Sequence, residues 1–400
     1  MAVWAGDHQI GLEGYALNAR PAVRIVDAGG QPLAGVPVTF TVTAGGGSVT
    51  AGAVATNGAG VAQVGAWIVG GSPGTNTLSA AAAGVSGSPV AFTATAQAEA
   101  YPIQLLNIGP PLSAASQAAL DSAVAKWERV VYQSPGAYTL NVPAGQACGL
   151  SSAPAINQTV AGLLILVQFD SIDGPGNVLA QAAPCYARTS NGLTVAGLME
   201  FDTADVAGMA RGGTLGAVVL HEMAHVIGFG TLWNQTGHAC LQLASDPPGL
   251  IQDTYFSCLG GTSRAGAEFD SIGGASYTGS NLVPPGGHKV PVENCGANTP
   301  SNCGAGTANS HWREPVFGNE LMTGYVNSGA NPLSVVTIAS LGDLGYGVNY
   351  AAADPYSHTF YARAPSGGGT APLSLGDDVR RAPLVVLDAA GRVVRVERLR

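Results

Sequence analysis

The sequence predicts a multidomain chain, with an all-β sandwich followed by an α+β domain that ends in a loop-rich C-terminal subdomain. Alternating apolar residues and turn signals fill residues 1–98, whereas helical and apolar strand patterns begin near residue 113. Gly- and Pro-rich sequence with little periodicity runs from 231 to about 333 and indicates loops. A chain of 400 residues is also too long for one ordinary core.

Charge and composition exclude several classes of protein. The chain has 16 Lys and Arg against 25 Asp and Glu, and this net charge of −9 argues against nucleic acid as a partner. With 46% hydrophobic and 10% charged residues, the chain is too apolar to be disordered. No apolar run reaches the length of about 18 residues that a membrane-spanning helix needs, so we expect no membrane span.

The first domain, residues 1–98, is predicted from short alternating strands separated by turns. Val38, Phe40 and Val42 alternate with threonines, and "NGAG" at 57–60 is a hairpin signal. "TNTLSAAAAGV" and "PVAFTATAQA" supply later strands. Short strands at regular spacing are typical of a sandwich.

The second domain is predicted over residues 99–355. Its periodicity indicates a helix at 113–133 with Ser113 as N-cap, strands within 161–173 and 193–206, a helix at about 214–229, and a last helix at 333–349 capped by Ser334. No helical period is visible between 231 and 280. Residues 356–400 form a C-terminal tail to which the sequence assigns no role, and it ends in a pattern that suits a β-hairpin.

Six cysteines, all after residue 100 and none in a CxxC pair, favour three disulfides over a metal cluster. Buried free thiols are the alternative. Pairing of sequence neighbours predicts Cys148–Cys185, Cys240–Cys258 and Cys295–Cys303. Disulfides imply an oxidising compartment, so we expect a secreted or cell-surface protein. The start "MAVWAGDHQIG" lacks the basic residues and apolar stretch of a signal peptide, and we expect the given start to be truncated or misplaced.

The stretch "VVLHEMAHVIGFGTLW" contains the residues suited to catalysis. His221 and His225 are four residues apart, so a helix places both on one face with their Cβ atoms about 5–6 Å apart. Two such histidines can share one Zn²⁺ at about 2.0–2.1 Å per nitrogen. Glu222, offset around the helix, is placed to take a proton from a zinc-bound water and to pass it to the leaving amine of a peptide bond.

A catalytic zinc ion needs a third protein ligand, which spacing alone does not identify. Position 231, where many zinc proteases place a third histidine, holds Thr231. Gly228 and Gly230 predict that the helix stops soon after the second ligand and that the third ligand comes from a following loop. The candidates are His238, His288 and His311.

"HEMAHVIGFGTLW" together with "SHWREPVFGNELMTGY" resembles the leishmanolysin family of metzincin zinc metalloproteases, in its bacterial form. "LMEFDTADV" and "TIASLGDLGYGVNYAAADPY" share the resemblance, which covers about residues 101–355. It implies a metzincin-type protease domain with one catalytic Zn²⁺, and its ligands would be His221, His225 and His311. The resemblance further implies that Glu222 is the catalytic base and Met322 the Met-turn residue.

"GQPLAGVPVTFTVTAGGGSV" followed by "TNGAGVAQV" resembles a bacterial immunoglobulin-like repeat of the invasin type. The resemblance implies an immunoglobulin-like sandwich for residues 1–98. Such modules are commonly spacers or adhesive units of exported proteins, so we expect this domain to be suited to contact with a cell surface or matrix. Its sequence contains no cluster of residues suited to catalysis.

These features predict a secreted zinc-dependent endopeptidase that acts on protein or peptide substrates through a zinc-bound water activated by Glu222. The alternative is a non-catalytic surface adhesin that uses the immunoglobulin-like module and keeps the protease-like region as a scaffold. The presence of Glu222 counts against that alternative, because a scaffold does not need the base. A zinc hydrolase that acts on a non-peptide amide is a third hypothesis.

Overall fold

The computed structural model describes residues 1–400 apart from 236, 245–252, 259–262, 274–275, 279–280, 284–288, 294–306, 328, 358–371 and 399–400. The described chain is mostly β, with a few helices. It divides into two compact units. The first comprises Met1–Ala100, Arg129–Tyr132 and Val348–Ala352, and the second comprises Tyr101–Glu128, Gln133–Gly347 and Ala353–Arg400.

The first unit is built from short strands. They are β1 (Ala2–Ala5), β2 (Gln9–Leu12), β3 (Ala22–Arg24), β4 (Pro37–Ala44), β5 (Ser48–Thr50), β6 (Ala53–Ala55), β7 (Val61–Gln63), β8 (Ala66–Ile68), β9 (Gly74–Ala81) and β10 (Val90–Gln97). They form a five-stranded sheet of order β2-β10-β9-β4-β6, a three-stranded sheet of order β1-β3-β7 and the pair β5-β8. The pairing of β2 with β10 is parallel.

The alternation predicted for the first unit is present in β4. Val38 and Phe40 are buried, whereas Thr39 and Thr41 are exposed. Phe40 packs near Phe92 of β10, with ring centroids 6.3 Å apart, inside one apolar core. Because successive side chains of a strand point to opposite faces, one face of this sheet forms the core.

The second unit is organised around a six-stranded mixed sheet of order β11-β14-β16-β15-β24-β25. Its members are β11 (Ile103–Asn107), β14 (Leu163–Asp170), β15 (Ala180–Arg188), β16 (Thr194–Asp202), β24 (Pro383–Leu387) and β25 (Val393–Arg398). The smaller strands are β12 (Tyr138–Val142), β13 (Ile156–Val160), β17 (Leu241–Ala244), β18 (Asp253–Phe256), β19 (Ser276–Thr278), β20 (Asn281–Val283), β21 (Val290–Pro291), β22 (Tyr325–Val326) and β23 (Leu373–Ser374).

The described helices are α1 (Ala114–Val130), α2 (Thr203–Gly212), α3 (Leu215–Ile227), α4 (Arg264–Ser271), α5 (Glu314–Phe317) and α6 (Val335–Asp343). Both predicted serine caps are present. The Ser113 hydroxyl oxygen accepts the Ser116 N–H, and the Ser334 hydroxyl oxygen accepts the Thr337 N–H. Among these helices, none is both long and apolar enough to cross a membrane.

Helix α4 lies in the stretch where the sequence shows no helical period, so that expectation was wrong. The Ser263 hydroxyl oxygen accepts the Gly266 N–H, which caps the first turn. The carboxylate of Asp343, from the end of α6, accepts the N–H groups of Arg264 and Ala265 at 2.8 and 3.0 Å. A carboxylate distant in sequence thus satisfies the free N–H groups of a short helix, and local periodicity does not reveal such a contact.

The C-terminal tail belongs to the second unit. β24 lies parallel beside β15, and β25 returns antiparallel to β24, so the predicted hairpin extends the main sheet to its edge. Earlier in the tail, β23 pairs with β22. The tail is therefore held at two separate places on the second unit.

Disulfides link Cys148 to Cys185 and Cys240 to Cys258, which confirms two of the three predicted pairs. The pair Cys295–Cys303 lies outside the described residues. Cys185 belongs to β15, so the first disulfide joins a central strand of the main sheet to the turn that follows β12. Such bonds are typical of proteins that fold in an oxidising compartment.

Helix α3 packs against β15 and β16 of the main sheet. The approach is close at Gly197 of β16, where an added Cβ would lie 2.6 Å from Val226 Cγ1 and 2.6 Å from the Ala183 carbonyl oxygen. Glycine leaves room for this approach because it has no side chain. The position of the helix relative to the sheet therefore depends on a glycine in the strand beneath it.

Replacing Gly197 with Ala should destabilise the protein, because the new methyl group would push α3 away from the sheet. Overpacking of this kind lowers the free energy of unfolding by about 1–3 kcal/mol. Gly208→Ala in α2 is the matched control, since an added Cβ there meets nothing within 4 Å. Alanine at that helical position should stabilise by about 0.5–1 kcal/mol. Denaturant unfolding measures both, and equal stability of the two variants would contradict the close packing.

Candidate metal centre

Helix α3 brings His221 and His225 together. Their spacing of four residues places both on one face of the helix, and their Nε2 atoms lie 2.9 Å apart. Both side chains are fully buried. The indole N–H of Trp127, in α1, donates to the Leu220 carbonyl at 3.0 Å, so α1 supports the helix beside the first histidine.

His311 joins this pair although it is distant in sequence. Its Nε2 lies 3.0 Å from Nε2 of His221 and 3.1 Å from Nε2 of His225, and its side chain is fully buried. Of the other two candidates, His238 does not belong to this cluster of possible metal ligands in the part of the chain that the structure describes. His288 lies outside the described residues.

The chain around Met322 positions one of the three histidines. The Leu321 carbonyl accepts a hydrogen bond from Nδ1 of His221 at 2.7 Å. The carboxylate of Glu320 fixes this turn, because it accepts the Met322 N–H at 2.6 Å and the Ser334 hydroxyl at 2.7 Å. The turn that contains Met322 is thus connected to the start of α6. Glu320 was not predicted from the sequence, although "NELMT" places it two residues before the methionine.

Each imidazole makes a hydrogen bond through Nδ1 to a backbone carbonyl. The acceptors are Leu321 for His221 at 2.7 Å, Phe229 for His225 at 2.9 Å and Thr307 for His311 at 3.1 Å. A carbonyl oxygen only accepts, so Nδ1 holds the proton and the Nε2 lone pair faces the other rings. Burial lowers the pKa of His221 to about 4 and also lowers the pKa of His225. These two rings are therefore neutral at pH 7, as metal ligands must be.

The three Nε2 lone pairs point at one another in a buried site, which is unfavourable unless a cation lies between them. Ligand nitrogens at 2.0–2.1 Å from a tetrahedral zinc ion are separated by about 3.3 Å. The observed separations of 2.9–3.1 Å are close to that value. Imidazole nitrogens suit zinc and other transition metals, whereas calcium and magnesium prefer oxygen ligands. The residues present therefore fit a zinc ion.

Asp378, from the C-terminal tail, is a fourth member of the group. Its Oδ2 lies 2.9 Å from Nε2 of His311, 3.1 Å from Nε2 of His221 and 3.7 Å from Nε2 of His225. Burial alone would lower the pKa of His311, but the charge and hydrogen bond of Asp378, together with the Thr307 carbonyl and the charge of Glu293, raise that pKa. Asp378 was not predicted from the sequence, because "SLGDD" follows a Gly- and Ser-rich stretch without periodicity and resembles no known ligand motif.

Glu222 is fully buried beside the histidines on α3, and neither carboxylate oxygen has a hydrogen-bond partner among the described residues. Burial raises the pKa of this carboxyl well above its usual range, and the negative charge of Asp378 raises it further. A buried carboxylate without a partner is costly. A nearby cation would favour its ionised form, so the unpaired Glu222 is a second observation that fits a metal ion at the histidines.

The turn after α3 explains why the third histidine is absent from position 231. The Thr231 hydroxyl donates to the His225 carbonyl at 2.7 Å and so satisfies a free carbonyl at the helix end. Gly230 has φ +72°, and an added Cβ there would lie 2.2 Å from the Ser310 carbonyl oxygen. The backbone of this turn therefore contacts the residue just before His311.

A family model matches part of the chain. Residues 124–243 match the family model described as Leishmanolysin, a peptidase family. The matched range contains α3 with His221, Glu222 and His225, and it ends before His311 and Asp378. No curated protein was found to match the chain.

Solved structures of intimin are similar to parts of the chain. The D0-D1 domain of intimin is 23% identical over 25% of this chain and 51% of that chain, with a TM-score of 0.21. The D00-D0 domain of intimin is 23% identical over 24% of this chain and 46% of that chain, with a TM-score of 0.20. The chain thus spans about half the length of these two structures, which it matches in the N-terminal region. A third similar structure is a C-terminal 282-residue fragment of intimin in complex with the intimin-binding domain of the translocated intimin receptor. It is 10% identical over 64% of this chain and 90% of that chain, with a TM-score of 0.23.

Replacing His311 with Ala should weaken zinc binding strongly, since the group of four would keep only two imidazoles and the carboxylate of Asp378. His238→Ala is the matched control, because His238 is also largely buried yet lies outside the group of four. Zinc content after dialysis, measured by atomic emission together with far-UV circular dichroism, checks both variants. Loss of zinc from His238→Ala, with retention by His311→Ala, would show that the ligand set is wrong.

Proposed function

We propose that this protein is a secreted zinc-dependent endopeptidase with His221, His225 and His311 as metal ligands and Glu222 as catalytic base. The observation on which the proposal depends is the convergence of three imidazole lone pairs beside a buried carboxylate without a partner. The match of residues 124–243 to the leishmanolysin family supports peptide-bond hydrolysis as the reaction.

The ligand set supports one catalytic zinc ion. Three imidazoles are a ligand set that zinc uses in catalytic sites, and each ring is oriented by a carbonyl. When bound, zinc supplies a Lewis acid that polarises the substrate carbonyl and lowers the pKa of a water molecule to about 7. The chain itself must then supply a base and a way to return the proton to the leaving group.

Glu222 is suited to hold and move that proton. It follows His221 directly on α3, and its carboxylate oxygens have no competing partner among the described side chains. The carboxylate takes a proton from the attacking water and later donates it to the nitrogen of the leaving amine. The three histidines do not transfer protons in this scheme, because each Nδ1 proton is held by a backbone carbonyl. Met322 has a structural role, in the turn that orients His221 through Leu321.

Two disulfides support a location in an oxidising compartment, and we infer that the protein acts on protein or peptide substrates outside the cytosol. The non-catalytic adhesin is the alternative. It does not account for Glu222, because a scaffold gains nothing from a buried carboxylate that lacks a partner.

Replacing Glu222 with Gln should leave the fold and the zinc content unchanged and should slow peptide hydrolysis by about 10²–10⁴-fold, because general-base catalysis is lost. Cleavage of fluorescent casein over long incubations measures even slow turnover, and metal analysis of the same samples measures zinc. Asp121→Asn, on the exposed face of α1, is a control that makes the same change from carboxylate to amide.

A Glu222→Gln variant that cleaves casein as fast as the parent chain would show that Glu222 is not the base. If the zinc-loaded chain cleaves non-peptide amides and a panel of peptides remains uncut, the substrate class is wrong. If the protein binds zinc but no variant cleaves either peptides or non-peptide amides, the adhesin is favoured.

A further inference from the structure

A C-terminal segment, residues 373–381, runs between β23 and β24 and lies across the metal centre. At its start, β23 pairs with β22, which follows the turn that contains Met322. The Leu375 N–H also donates to the Gly324 carbonyl at 2.9 Å. These bonds hold the segment to one side of the site.

The other side of the segment lies along the first half of β15, on the edge that β24 occupies farther along the strand. The Ala182 N–H donates to the Asp378 carbonyl at 2.8 Å, and the Arg380 N–H donates to the Ala182 carbonyl at 3.1 Å. The Gln181 side-chain amide donates to the Asp377 carbonyl at 2.9 Å. Both backbone hydrogen-bonding groups of Ala182 that face this edge are therefore occupied by the segment.

Arg380 adds two side-chain contacts to this edge. Its Nε lies 3.1 Å from a carboxylate oxygen of Glu200, which is in β16, and its Nη1 donates to the Cys148 carbonyl at 3.1 Å. The coulombic effect of Arg380 opposes the effect of burial, which raises the pKa of Glu200. The C-terminal segment is thus held by side chains as well as by backbone.

Asp378 contacts both parts of the site that a protease would need, the metal group and the strand edge beside it. Its backbone pairs with the strand edge, and its Oδ2 faces the Nε2 atoms of all three histidines. A catalytic zinc ion keeps one coordination position open, whereas a structural zinc ion has four protein ligands. An exposed sheet edge is where extended peptides commonly bind by adding a strand. Here both the open position and the edge are taken by the chain itself.

We propose that the C-terminal segment is an internal inhibitor, in which Asp378 fills the fourth coordination position and its backbone covers the β15 edge that a peptide substrate would use. This inference rests on the proposed function, because only a catalytic site needs the position and the edge to be free. Activity then requires the segment to leave β15, which frees both groups of Ala182 and the space beside the three Nε2 atoms.

The competing interpretation is a structural metal site with four protein ligands. Glu222 argues against it, since both of its oxygens are buried without a partner among the described residues and no structural site needs such a carboxylate. The burial of the whole group also agrees with a closed catalytic site. His221, His225 and His311 are fully buried, and Asp378 is 1% exposed.

Asp378→Asn tests the proposal, with Asp377→Asn as the matched control. Both remove one negative charge from adjacent positions, but only Asp378 faces the histidines. Asp377 has φ +63°, a conformation that Asn tolerates well, so the control should not strain the backbone. The probe is acetohydroxamate, a small metal chelator that needs free coordination positions, titrated into each zinc-loaded full-length chain by calorimetry.

We expect acetohydroxamate to bind zinc-loaded Asp378→Asn roughly ten-fold or more tightly than it binds the parent chain or Asp377→Asn, because a closed state reduces apparent affinity by the fraction that is open. Amide hydrogen exchange in residues 373–381 should be faster in Asp378→Asn than in both others. Casein cleavage should rise by a similar factor. Arg380→Ala, which loosens the segment without touching the metal group, should shift all three measurements in the same direction.

Complete loss of zinc from Asp378→Asn, with the fold retained, would identify a four-ligand structural site and overturn the proposal. Equal hydroxamate affinity and equal exchange in all four proteins, with casein cleaved by the parent chain, would also overturn it and would leave the endopeptidase function intact. Tighter hydroxamate binding and faster exchange without any casein cleavage would support the closed site and would instead refute the endopeptidase function.

Discussion

The structure of the second unit depends on one unfavourable juxtaposition that a cation resolves. Three imidazoles in a dry interior direct their unprotonated nitrogens at a common point, and the nearest pair of nitrogens is 2.9 Å apart. Without a positive charge between them these lone pairs repel, and the carboxylate of Glu222 beside them has no partner in the described part of the chain. Metal binding and folding are coupled where ligands come from distant parts of a chain, and here the group extends from His221 to Asp378. Much of the chain between these residues is arranged around that point.

Backbone carbonyls orient each ring from its Nδ1 side, and Asp378 contacts the Nε2 atoms of His221 and His311 on the other side. Carbonyls of Phe229, Leu321 and Thr307 each hold one Nδ1 proton, and the turn that contains Leu321 is fixed by Glu320 to the start of α6. A carbonyl is fixed by the fold to a degree that a long side chain is not. The geometry of the metal group is therefore determined by the conformation of the loops that carry these carbonyls. One of them, the turn that contains Leu321, is held by buried hydrogen bonds from Met322 and Ser334 to Glu320.

The sequence predicted what local spacing determines and missed what distant contacts determine. His221 and His225 could be found because a four-residue interval on an apolar helix has one geometric meaning. Spacing left His311 equal to two other histidines, and only the family resemblance selected it. Helix α4 was missed because it is short and depends on the distant Asp343 in addition to its Ser263 cap, and Asp378 was missed because nothing in a Gly- and Ser-rich tail indicates a return to the main sheet. The disulfide pairs Cys148–Cys185 and Cys240–Cys258 could be predicted, because each joins two cysteines that follow one another in the sequence.

The contact between Gly230 and Ser310 has a consequence for how such a chain can diversify. The backbone leaves α3 at Gly230 and comes back to the same point at Ser310, so residues 231–309 begin and end side by side. The entropy of closing a loop rises only slowly with its length, and excursions with adjacent ends tolerate insertion and replacement. Residues 232–306 could therefore lengthen, shorten or change sequence over evolutionary time while Thr307 and His311 stay in position. Substrate preference and metal chemistry would then be able to evolve at different rates within one domain.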